Sequence, residues 1–477
     1  MKAPFSPYLR GIKPGLIELI ADLRRDYEYV SVLATDSKGL TVRISRHARS
    51  VGSETMTTER GIVVRVLKDG QYSEYALNSF DPADPASAAA EIRAALDAQL
   101  ALLAKTGVKS YPTPVLPDEP ITLFVEKETG CLPEETDAKP LVDKFGALID
   151  HMGELSDELV ECMVNAQSTH ISKLFLTENR DMSQSYVYSE GAAAAVAMRD
   201  GRNQIGYESV SGLGGPEIFE GLEAAADKAV KSAVELLDAG RIEPGEYDVI
   251  ASPEVTGLIA HEAFGHGVEM DMFVKNRALG KEYIGRRVGS DKVTMHEGAL
   301  CAENVTSYAF DDEGTLAGDV TEIDHGILKN GICDALSALR LGVTPTGNGK
   351  RENFEHKAYT RMTNTIFDSG TDSLEDMIAS IDYGYLLEGM ESGMEDPKHW
   401  GIQCILKLGR EIKDGKLTGK IVAPIIMTGY VPDLLGNVTM LSPDRKVFGS
   451  GGCGKGHKEW VKVSDGGPYL KTKARLG

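Results

Sequence analysis

Basic residues are scarce relative to acidic ones in this chain of 477 residues, 51 Lys and Arg against 72 Asp and Glu, a formal net charge of −21. Such an excess repels phosphate backbones, which argues against direct nucleic-acid binding and for solubility and neutral or basic peptide ligands. No apolar run reaches the roughly 18 residues of a membrane span. The opening Met1-Lys2-Ala3-Pro4-Phe5-Ser6-Pro7 leads into no signal-like apolar core, so a cytoplasmic protein with no membrane partner is expected. Cysteine is sparse too: six residues, at 131, 162, 301, 333, 404 and 453, scattered as reduced thiols are rather than clustered as a disulfide framework is.

What is present is a chemical cluster, His261-Glu262-Ala263-Phe264-Gly265-His266, emerging from the apolar run 255–260. Neutral imidazole is a good zinc ligand, and a carboxylate beside a ligand can take a proton from an attacking water. The two histidines are five apart, about 140° around an ideal helix, so a regular helix does not aim both at one ion. A π-type turn would, and Gly265 and Gly267 ease the distortion; an irregularity is predicted between Ala263 and Gly267. Tyr247–Ala251 reads as a strand, Ser252 as a helix cap and Pro253 as the first helical residue.

Two histidines leave a metal short of ligands. Glu269 and Asp271 lie just downstream, but glycine-ringed Cys453, in Gly449-Ser450-Gly451-Gly452-Cys453-Gly454-Lys455-Gly456-His457, is the better chemical choice, because backbone amides and Lys455 favour its thiolate. A soft thiolate with two imidazoles selects zinc over magnesium or manganese. The same stretch spells the start of a phosphate-binding loop, yet Gly456 stands where Ser or Thr should be and too little chain follows. Arg361 and Asn364 offer donors to a peptide carbonyl or developing oxyanion, and with His457 they are the candidate substrate contacts. Asp311-Asp312-Glu313-Gly314 reads as a solvated acidic turn before a hard-cation site. Pro345–Arg351 reads as a tight loop with solvated basic tips.

The fold class expected is α+β. Residues 1–240 form an N-terminal α/β domain with antiparallel sheets and helices, and 241–477 a C-terminal, mainly antiparallel β domain carrying one metal-binding helix. Helices are predicted over 15–25, 85–105, 140–165 and 216–237, strands over 29–33, 40–44, 61–66, 171–175, 184–188 and 193–197, and Asp-Gly turns at 69–70 and 414–415. Proline-dense Tyr111–Pro120 reads as a crossing linker. Helix, antiparallel strands, helix recurs in outline across the N-terminal half, without any repeated residue motif.

Together, His261–Gly267, Asp311–Gly314, Thr344–Gly349, Arg361–Thr365 and Gly452–Lys455 resemble the TldD/PmbA family, specifically its TldD-type metallopeptidase branch. The resemblance spans the C-terminal half; the N-terminal half agrees in length and general pattern only, and 381–397 and 456–458 depart from the pattern. It implies Zn2+ held by His261, His266 and Cys453, Glu262 as general base, and trimming or degradation of unfolded peptides or leader sequences. It implies a dimer, either of two copies or with a PmbA-like subunit. The competing expectation is a non-enzymatic peptide-binding or assembly subunit with a structural metal.

Overall fold

Ser6 caps the first helix: its Oγ accepts from the Leu9 N–H at 3.2 Å, and Pro7 occupies the first position of helix Pro7–Leu23. Capping starts the helix earlier than the expected Gly15, and Leu9, Ile12, Leu16, Leu19 and Leu23 form its buried stripe. In this computed structural model, which describes residues 1–106, 112–455 and 459–477, the helix packs with Pro85–Thr106 over an eight-stranded sheet. The sheet runs 71–77, 60–68, 29–45, 159–176, 180–199, 121–126, with 49–52 and 202–213 paired on its flanks. All pairings are antiparallel except that of 121–126 with 180–199.

Several short predicted strands prove to be parts of long ones. Tyr29–Ser45 continues through Asp36-Ser37-Lys38-Gly39, which reads as a turn, because strand 159–176 pairs with it along the whole stretch, while on the other edge strand 60–68 ends opposite Asp36, where Arg60 Nε donates to Asp36 at 2.8 Å. The helix predicted over 140–165 stops at Glu154, and Leu159–Leu176 is a strand. Strand 202–213 has no counterpart in the sequence reading; Gly206 lets it lie against the backbone of helix Leu222–Leu236, whose Ala229 carbonyl a Cβ would overlap. The Asp69-Gly70 and Asp414-Gly415 turns form as expected, with positive φ at all four residues. Tyr111 lies outside the described residues; from 112 to 120 the predicted linker has no regular structure.

The second sheet uses strands from 245 onward. Five of them close on themselves in the order 464–476, 425–430, 401–413, 383–396, 245–251 and back to 464–476. Closure leaves those strands without open edges. The helix that follows 245–251 packs on strand 464–476, where Gly257 admits Asp465 and Gly466. Among the described residues no helix is long and apolar enough to cross a membrane.

Candidate metal centre

Pro253 begins helix Pro253–Ala260 with its fixed φ and missing N–H. Ser252 stands at the capping position in extended backbone, but its hydroxyl makes no cap and is buried without a partner among the described residues. Every residue of the helix except Glu254 is buried. The helix then widens. His261–Gly265 is a π turn, closed by the His266 N–H on the His261 carbonyl, so the irregularity starts two residues before the predicted place. The two imidazoles come together at 5.1 Å between centroids and 86° between planes. Gly265 is required by close approach, since a Cβ there would overlap the Met362 sulfur.

Cys453 arrives on the short strand Gly452–Cys453, paired with Val461–Lys462. Its Sγ lies 3.3 Å from His266 Nε2, and donor atoms of His261, His266 and Cys453 all lie within 4.8 Å of one another. Tetrahedral zinc, with bonds of about 2.3 Å to sulfur and 2.0 Å to nitrogen, sets such donors roughly 3.5 Å apart, so the set fits that ion. Glu269, a candidate third ligand in the sequence, lies instead behind His266: its Oε2 accepts from His266 Nδ1 at 3.1 Å. In the neutral imidazole that a metal would bind, the proton therefore sits on Nδ1 and the Nε2 lone pair faces Cys453. Lys455 Nζ reaches Glu269 at 3.0 Å and Asp271 at 2.7 Å, which ties the cysteine segment to the same carboxylate. Burial favours a neutral Glu269, but Lys455 and His266 outweigh it and hold its pKa down to about 2.

The three donors are electrostatically one unit. Burial would raise the Cys453 pKa, yet His266 and His261 hold it well below the usual thiol range. In return, burial lowers but the thiolate raises His261, to about 9, and His266 is raised in the same way. The protons so held occupy the place of positive charge that a divalent cation would take over. Glu262 is buried beside this set, its carboxylate against Gly393, where a Cβ would lie 2.8 Å from Oε1. Asp465 Oδ2 is 3.6 Å from His261 Nδ1. Glu395, which no spacing in the sequence singles out, stands two residues beyond Gly393, with Oε1 3.3 Å from where a Gly267 Cβ would be. Both its oxygens are buried without hydrogen-bond partners among the described residues, and burial, opposed by His266 and reinforced by Glu262, pushes its pKa to about 9.

Two of the expected substrate contacts, Arg361 and Asn364, are committed to backbone carbonyls. Arg361 is fully buried, with Nη2 donating to the Cys453 carbonyl at 2.7 Å and Nη1 to that of Glu459. Asn364, also fully buried, donates to the carbonyls of Gly298 and Ala302 and accepts from Thr306 Oγ1. Both support the loops around the site from beneath. His457 lies outside the described residues. The acidic turn is not solvated: Asp312 pairs with Lys173, Glu313 with Arg65 at 2.6 Å, and Asp311 accepts from the Glu313, Thr315 and Gly349 amides. Nor are the basic tips: Lys350 Nζ donates to the Met362 and Lys462 carbonyls, and Arg351 pairs with Glu74. Opposite charges from the two halves of the chain meet here, which local composition does not reveal.

Residues 244–473 match the PmbA/TldA metallopeptidase C-terminal domain. The chain is 28% identical over 474 residues to a metalloprotease of Synechocystis sp., covering 98% of each chain. It is 31% identical over 246 residues to a zinc metalloprotease TldD homolog of Saccharolobus solfataricus, covering 51% of this chain and 54% of that one. Among solved structures, TldE from Thermococcus kodakarensis superposes with a TM-score of 0.76 at 17% identity, covering 97% of this chain and 100% of that chain.

Proposed function

The chain belongs to the TldD/PmbA family, and on that premise we propose that it is a zinc-dependent peptidase that trims or degrades unfolded peptides or leader sequences. The observation that supports this best is the 3.3 Å approach of Cys453 Sγ to His266 Nε2 beside buried Glu262. His261, His266 and Cys453 would hold the ion, which supplies Lewis acidity toward the scissile carbonyl and a more acidic water. Glu269 keeps the proton on His266 Nδ1, while Arg361 and Lys455 fix the backbone that presents Cys453. Glu262 takes the proton of the attacking water on its carboxylate and returns it to the leaving amine nitrogen. Gly393 leaves that carboxylate the space to act.

The proposal includes an N-terminal domain of residues 1–240, a catalytic domain of 241–477, and assembly as a homodimer or with a PmbA-like subunit. Its test is elemental analysis of the purified protein with cleavage of unfolded casein, with and without chelator. Zinc and chelator-sensitive cleavage are expected. Bound metal without cleavage by the chain, alone or with a PmbA-like partner, would favour a binding or assembly subunit instead.

A further inference from the structure

We propose a second metal site, separate from the first, formed by Glu352, His356 and Glu459 and taking a first-row divalent cation such as zinc or manganese. Donor atoms of the three lie within 4.8 Å of one another, and His356 Nε2 is 3.7 Å from Glu352 Oε2. Glu352 Oε2 and Glu459 Oε2 are buried with no hydrogen-bond partner among the described residues. A buried anionic oxygen left unpaired is costly unless a cation meets it. The imidazole is already oriented as a ligand: His356 Nδ1 is 2.8 Å from Asn353 Oδ1, an oxygen that also accepts from the Glu355 N–H at 2.9 Å. An acceptor there puts the proton on Nδ1 and leaves the Nε2 lone pair facing the carboxylates. The ends of the neighbouring guanidinium are turned to other groups: Arg351 Nη1 and Nη2 bind Glu74 and Nη1 also donates to the His356 carbonyl, while its Nε has no hydrogen-bond partner among the described residues. Two carboxylates balance a divalent ion, and one imidazole among oxygen donors suits zinc or manganese better than calcium.

The place of this cluster gives it a role. Phe354, between Glu352 and His356, fills the slot left by Gly61, and its N–H donates to Glu59 Oε2 at 2.7 Å, so the loop is anchored on the N-terminal sheet. Glu459 is held through its carbonyl by Arg361, the residue that also holds the Cys453 carbonyl. A cation here fastens the Cys453 segment to the N-terminal half. A cavity of ≈ 300 Å³ lined by Glu352, Gly451, Gly452 and Trp460 provides access.

The test counts zinc in the full-length protein after equilibration with the metal and removal of loose ions. About two per chain are expected, about one in a Glu352→Gln/His356→Gln variant, about one in a His261→Asn/His266→Asn variant, and none when the four substitutions are combined. In the His261→Asn/His266→Asn background, zinc should also change the fluorescence of Trp460, which adjoins Glu459, and the single substitution His356→Asn should abolish that response. One ion per chain in the unaltered protein, a count unchanged by Glu352→Gln/His356→Gln, or loss of both ions in that variant would each overturn the proposal. The histidine pair reports the first site separately, so the peptidase reading stands or falls on its own arm.

Discussion

The two sides of the candidate centre are built in different ways. His261, Glu262 and His266 come from one continuous helix, where a local backbone distortion and the absence of a side chain at Gly265 set their aim. Cys453 comes from far along the chain and is aimed by tertiary contacts: Arg361 on its carbonyl and Lys455 on Glu269 and Asp271. The helix is preorganised by its own hydrogen bonds, whereas the loop needs charges to be in place first. The join is Glu269, which orients His266 with one contact and receives Lys455 with another.

The largest effect should come from Glu262→Gln. It is nearly isosteric and removes the proton acceptor, so turnover of unfolded peptide should drop roughly a hundred- to ten-thousandfold while zinc content stays at the unaltered level. Wild-type cleavage by this variant would end its assignment as base. Next, the two sides can be broken separately. Arg361→Ala strips two backbone carbonyls of a buried charged donor, at about 1–3 kcal/mol for each group left unsatisfied. Gly265→Ala forces a methyl group into the Met362 sulfur, for about 1–3 kcal/mol. Calorimetric melting should show both losses. Cysteine alkylation should rise at Cys453 only in Arg361→Ala, and equal reactivity in the two variants would contradict independent construction.

The helix side was the more legible from sequence for the same reason that it is locally built. A spacing of five with flanking glycines points to a π turn before any tertiary contact is known, and Pro253 announces the helix. Asp-Gly pairs likewise give away both hairpins, because their backbone demands are local. Legibility ends where a residue's role depends on a partner far away. Arg361 and Asn364 carry donors that suit an oxyanion, yet their burial under the Cys453 and Ala302 loops is a property of the assembled sheets. Asp312 and Glu313 look like a solvated turn until Lys173 and Arg65 arrive from the other half. Strand length failed similarly: the polar break at Asp36–Gly39 is bridged by strand 159–176, a neighbour more than a hundred residues away in sequence.

Glu269→Gln probes the join. The amide keeps the shape but loses the charge that holds Lys455 and the acceptor strength that orients His266, so zinc affinity should weaken about 10–100-fold. Competition with a chromophoric chelator measures it. Lys455→Met should weaken affinity less, because His266 keeps its partner. If Glu269→Gln bound zinc as tightly as the unaltered protein, the two sides would be independent and the join merely adjacent.

The smallest effect belongs to a charge cluster on neither side, and it serves as a baseline for both. His296 Nδ1 lies 2.8 Å from Asp319 and Nε2 3.5 Å from Asp368, and these carboxylates, Asp368 foremost and against the pull of partial burial, lift its pKa to about 9. An unfolded histidine titrates near ~6.5, so the folded state binds the proton more tightly. The resulting stability is fully present below about pH 6.5 and is lost as pH rises through about 9. The Tm difference between the protein and His296→Gln should therefore be greatest near pH 6 and shrink steadily toward pH 9.5. A constant gap across that range would mean that the imidazole contributes by packing rather than by charge.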